Sequence, residues 1–147
     1  MTSIGSTVRT DHAVQLATRG PLVLLTLTTA AIHASLGGWL FAMNAVGYSS
    51  LATLMIVPGP IGRYRWLVRL ALLGFTTATI GGWVMFGGRF WLAYIDKAVE
   101  LAVVAFLAIE LLAIDGGPRE IATRLVTLVG QLPAAIRAGV ATARHPR

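Results

Sequence analysis

Cysteine is absent from the 147 residues. The chain therefore has no disulfide framework, no thiolate metal ligand, no cysteine nucleophile and no S-acylation site. Charge is nearly as scarce: 12% of residues are charged, where a soluble domain carries about 25%. Lysine occurs once, as Lys97, against eleven arginines. So few charges cannot cover a water-facing surface. That excludes most soluble enzymes and nucleic-acid binders, in spite of a net charge of +6 and a pI near 11.1. A basic balance in such a chain points to lipid headgroups, and no nucleic-acid partner is expected. Catalytic signatures are missing too: there is no H-E-x-x-H, no P-loop and no G-x-S-x-G. No catalytic residue and no enzymatic activity are expected.

What the chain has is apolar length. Hydrophobic residues make up 56% and the mean hydropathy is +0.74. Crossing about 30 Å of hydrocarbon takes about 20 largely apolar residues, and four segments qualify: 21–36, 39–57, 66–86 and 91–114. Pro21 suits a helix start, where its missing N–H costs nothing. Gly37-Gly38, Pro58-Gly59-Pro60, Gly87-Gly88 and Asp115-Gly116-Gly117-Pro118 punctuate the spans. The expected fold is all-α: a polytopic membrane protein with four transmembrane helices in one bundle. Residues 1–20 form an N-terminal segment, 21–114 the transmembrane domain, and 115–147 a basic C-terminal segment too charged to span.

Charge placement sets the orientation. Arg63, Arg65 and Arg69 lie between spans two and three. Arg9 and Arg19 precede span one, and Arg119, Arg124, Arg137, Arg144 and Arg147 follow span four. The opposite connections hold only Arg89. The positive-inside rule then puts both termini in the cytoplasm. Trp39, Trp91 and Tyr94 fall at the outer interface, and Tyr64 and Trp66 at the inner one. Arg9 and Arg19 before an apolar run also suit a signal peptide, but Ile32-His33-Ala34 is a poor cleavage site, so span one is read as retained. In the tail, Ile121, Leu125, Leu128, Val129 and Leu132 share one helical stripe. This gives a cytoplasmic amphipathic helix, kinked or restarted at Pro133, with Arg119, Arg124 and Arg137 available to anionic lipid or a partner.

Ionisable groups inside spans are costly and therefore informative. Span four carries Asp96, Lys97, Glu100 and Glu110. At 100° per residue, Glu100 and Glu110 lie about 40° to either side of Asp96. The three acids thus share a face that should point into the bundle. Glu110 is expected to pair with Arg65 or Arg69 near the inner end. His33, Asn44, Tyr48, Asp96, Lys97 and Glu100 all fall in the outer half, if span directions alternate. Thr26 and Thr29 lie on the face of His33, and Thr76, Thr77 and Thr79 sit near the middle of span three. Three roles remain open for this cluster: a hydrogen-bonded packing network, a small-solute or proton site, or a metal or pigment site on His33. One histidine with two carboxylates is a thin ligand set, so no metal is expected and no cofactor is required. A His33-ligated pigment stays an option.

The segments Ile32-His33-Ala34-Ser35-Leu36-Gly37, Asn44-Ala45-Val46-Gly47-Tyr48 and Tyr94-Ile95-Asp96-Lys97 resemble a group of small uncharacterised four-span prokaryotic membrane proteins. These have a histidine in the first span and Asp-Lys opening the last. The resemblance covers about residues 22–113 and implies a four-helix membrane protein with His33, Asn44, Asp96 and Lys97 as marked positions. It implies no activity and does not reach the basic C-terminal extension. By architecture the chain is also similar to DoxX-like proteins. The leading functional expectation is a non-enzymatic accessory or scaffold subunit, associated with other membrane subunits or with copies of itself. The alternative is a small-solute, proton or pigment-binding protein using the outer-half cluster.

Overall fold

Glycine turns set the register of the helices. Gly37 and Gly38 adopt φ of 72° and 85°, and Gly116 and Gly117 adopt 83° and 80°. This left-handed region is cheap only without a Cβ, and helices begin at Trp39, just past the first pair, and at Gly117 in the second. In the computed structural model, residues 4–57 and 64–144 are described, with side chains described for 19–57 and 64–131. Among them there are five helices and no strand: α1 (Ile4–Leu36), α2 (Trp39–Ile56), α3 (Arg65–Phe86), α4 (Trp91–Ala113) and α5 (Gly117–Arg144).

The boundaries of α2, α3 and α4 agree with the apolar segments to within a residue or two. The N-terminal end of α1 does not. Helix α1 continues through Pro21 back to Ile4, so Pro21 is not its start. An internal proline removes one backbone hydrogen bond but does not forbid helix on both sides. For the same reason α5 runs through Pro133 to Arg144.

Helix α1 packs on α2 and α4, and α3 packs on the same two, closing a four-helix ring; α5 packs on α4. The shared core is Leu22, Ala30, Tyr48, Met55, Val68, Leu72, Val103 and Leu107. A second cluster joins Trp66 and Leu111 to Ile121, with Leu125 and Leu128 alongside. The apolar stripe of α5 therefore begins against the bundle itself, while Val126 and Val129 on its outer side are exposed. Trp66 consequently belongs to no interfacial belt: it is 7% exposed, beneath α5. Trp39, Trp91 and Tyr94 are exposed, as a belt requires.

Polarity is distributed the reverse of a water-soluble fold. Arg69, Asp96, Lys97, Glu100, Glu110 and His33 are buried, while Leu24, Met43, Val46, Ile56, Leu101 and Leu112 are exposed. Two helices, Trp39–Ile56 and Arg65–Phe86, are long and apolar enough to cross a membrane. Helix α4 is apolar over most of its length but carries four of the buried ionisable groups.

Gly47 lets α2 and α3 approach closely. A Cβ on Gly47 of α2 would stand 2.6 Å from Cζ of Phe75 on α3, so the ring must move to admit it. Gly47→Ala is expected to cost about 1–3 kcal/mol, the usual range for overpacking. Thermal unfolding in detergent measures this; a change within experimental scatter would mean that Phe75 relocates freely.

A buried polar cluster beneath an apolar cavity

Each helix of the ring contributes one or more polar side chains to a single cluster at the end where α1 meets α2. On α1, residues four apart share a face, so Thr29 and His33 point the same way and both are buried. The second and third turns of α4 present Asp96, Lys97 and Glu100, which are 2%, 8% and 0% exposed. Tyr48 comes from α2 and is wholly buried, with its ring edge-on to Phe75 at 4.9 Å. Thr79 comes from α3.

The two carboxylates divide their oxygens between two neighbours. Lys97 Nζ lies 3.0 Å from Asp96 Oδ2 and 2.5 Å from Glu100 Oε2, bridging one oxygen of each. The other oxygens face His33: Asp96 Oδ1 is 3.5 Å from Nδ1, and Glu100 Oε1 is 3.9 Å from Nε2. Both carboxylates are also held by hydroxyls. Thr29 Oγ1 donates to Asp96 Oδ1 at 2.5 Å. Tyr48 donates to Glu100 Oε1 at 2.9 Å, and Thr79 Oγ1 lies 3.0 Å from the same oxygen. Nδ1 of His33 lies 2.9 Å from the Thr29 carbonyl oxygen. A carbonyl only accepts, so Nδ1 carries a hydrogen. Nε2 is the ring nitrogen on the Glu100 side.

Above the cluster opens a cavity of about 460 Å³. His33, Asp96 and Lys97 form its polar floor, with Asn44 and Thr79 on its sides. Its walls are aromatic and aliphatic, including Phe41, Phe75, Trp83, Phe86 and Phe90. The α3–α4 connection borders it and is tied back locally. Trp83 Nε1 donates to the Gly88 carbonyl at 3.0 Å, the Arg89 guanidinium stacks 4.3 Å from the Trp83 ring, and Arg89 Nη2 donates to the Val84 carbonyl at 2.9 Å.

Comparison with protein-family models, curated proteins and solved structures finds no match. Six residues singled out in the sequence meet around this one site: His33, Tyr48, Asp96, Lys97 and Glu100 in the cluster, and Asn44 on the cavity wall. Thr29 and Thr79, which hold the carboxylates, carried a weaker signal, the first by sharing the His33 face and the second by its depth in span three. The aromatic wall gave no separate signal, because such residues are ordinary in an apolar helix.

At the far end of the bundle, Arg69 pairs with Glu110, Nε to Oε2 at 2.5 Å. Its Nη1 reaches Asp115 Oδ1 and Oδ2 at 3.0 and 2.9 Å. Arg65 instead directs Nη2 to the Val57 carbonyl at 3.4 Å. On α5, Arg119 is exposed and Arg124 pairs with Glu120 at 3.1 Å. The Arg137 side chain lies outside the described residues.

Proposed function

We propose that the chain is a small polytopic membrane protein that crosses the bilayer four times and binds a small, largely apolar molecule in its cavity. The polar end of that molecule sits on His33, Asp96 and Lys97. Support for the membrane reading is the inverted polarity: charges inside and large apolar residues outside are stable only where the surroundings are hydrocarbon. The second half of α1, with α2, α3 and α4, supplies the spans. The positive-inside bias orients the termini to the cytoplasm and the cavity to the outer half of the bilayer.

The observation that carries the binding reading is the cavity floor. Ligand sites are typically concavities of about 300–1,000 Å³, mostly apolar, with a few convergent polar groups. A cavity of about 460 Å³ over His33, Asp96 and Lys97 has that composition. The accessory-subunit expectation assigns no task to the cavity, so the ligand-binding alternative ranks first.

Native mass spectrometry of protein extracted gently from its own membrane tests this. The wild type is expected to carry a small-molecule mass that Ala78→Phe, which fills the cavity from α3, abolishes while the variant stays folded. A bare wild type, with other subunits retained in fixed stoichiometry, would sink the binding reading in favour of the accessory subunit.

A further inference from the structure

We propose that His33, Asp96 and Glu100 form a binding site for a first-row divalent metal ion, with an open position facing the cavity. The inference deepens the ligand-binding reading above, because the ion would hold the polar end of the bound molecule.

Three observations carry it. The first is proximity: one potential ligand atom from each residue lies within 4.8 Å of the others, and all three residues are buried. Metal–ligand distances near 2.1 Å place donors about 3.4 Å apart around a tetrahedral ion. The 3.9 Å between His33 Nε2 and Glu100 Oε1 exceeds that by about half an ångström, within reach of a small side-chain rotation.

The second is the orientation of the imidazole. Nδ1–H is committed to the Thr29 carbonyl at 2.9 Å, which turns Nε2 to the Glu100 side, 3.9 Å from Oε1. A histidine whose other N–H is fixed by a backbone carbonyl is the usual way a protein presents an imidazole to a metal.

The third is the support around the carboxylates. Thr29 fixes Asp96, and Tyr48 and Thr79 fix Glu100, the outer layer of hydrogen bonds that orients metal ligands. Lys97 occupies Asp96 Oδ2 and Glu100 Oε2, leaving Oδ1 and Oε1 on the histidine side. His33 and Asp96 also line the cavity. One imidazole and two carboxylates suit Zn²⁺, Fe²⁺, Mn²⁺ or Co²⁺ rather than a soft ion.

The test uses the full chain purified in detergent, stripped with chelator and titrated with Co²⁺ as a spectroscopic probe. Expected is one equivalent bound, with visible ligand-field bands and a higher unfolding temperature. His33→Gln, which keeps a hydrogen-bonding side chain, and Glu100→Gln should each weaken binding at least tenfold. Thr29→Val should weaken it about 10- to 100-fold, as loss of an orienting partner does. Glu120→Gln, on the exposed face of α5, should leave it unchanged. A folded wild type that takes up no Co²⁺ overturns the proposal and leaves Lys97 as the cluster's cation, whatever the variants do. Binding that survives His33→Gln overturns it equally. A wild type that retains its small-molecule mass but binds no Co²⁺ removes the metal and leaves the cavity reading standing.

Discussion

Arg69→Met is expected to destabilise the bundle by about 3–5 kcal/mol, the cost of removing one partner from a buried ionic group. Arg69 is 3% exposed, and it answers Glu110 at 0% and Asp115 at 6%. Its guanidinium uses Nε on one acid and Nη1 on both oxygens of the other. Without it, Glu110 and Asp115 lose the guanidinium they share, and the more distant Arg19 is the remaining cation coupled to Glu110. The ties also join three elements: α3 carries Arg69, α4 carries Glu110, and Asp115 begins the turn to α5. Loss of Arg69 should therefore loosen α5 before it melts the ring. Two readouts separate these effects: thermal unfolding in detergent for the bundle, and tryptic cleavage after Arg119 and Arg124 for α5. Adding Glu110→Leu and Asp115→Asn should restore most of the stability, since a buried ionic group exchanged for neutral side chains of similar size is often tolerated. A loss below about 1 kcal/mol for Arg69→Met alone, far under the range for a broken buried pair, would show that water reaches this end of the bundle.

That network shows what was readable in the sequence. Glu110 lies on the same helical face as Asp96 and Glu100, a matter of 100° per residue, and its pairing with an arginine at the start of α3 follows from depth. Choosing Arg69 over Arg65 does not follow. The two are four residues apart, nearly one turn, and only the packing decides which faces α4. Asp115 reads as turn punctuation, and its ionic role depends on how the chain leaves α4. The helices α2, α3 and α4 were legible because apolar runs bounded by Gly and Pro leave little choice. The N-terminal extension of α1 was not, because Pro21 is a signal that an otherwise continuous helix can absorb. The same holds for Trp66. An aromatic residue at a span end suits an interface, and only the return of α5 over Leu111 buries it.

The cluster was legible as a set of costly residues at one depth, but its internal order was not. Periodicity puts Asp96 and Glu100 on one face; it says nothing of which oxygen meets Lys97 and which meets His33. That division is the basis of the second large effect. Lys97→Met is expected to cost about 3–5 kcal/mol, because Asp96 and Glu100 are then two buried carboxylates without their bridging ammonium. Glu100→Gln should cost less, since Lys97 keeps Asp96 at 3.0 Å and the amide oxygen can still accept from Tyr48 and Thr79. The double variant should be more stable than Lys97→Met alone, with a coupling of about 0.5–3 kcal/mol between the two sites.

Divalent metal then separates two accounts of why these charges are buried. If Lys97 is the only cation the cluster accommodates, Co²⁺ will not rescue Lys97→Met. If His33, Asp96 and Glu100 hold an ion, removing the competing ammonium makes the site more negative and its affinity higher. The variant should then recover about 2.7 kcal/mol when free metal reaches a hundred times its Kd. The double variant, lacking the Glu100 carboxylate, should recover little. Rescue of Lys97→Met but not of the double variant would assign the buried negative charge to metal binding, because a cluster serving helix packing alone has no reason to prefer Co²⁺ in one background over the other.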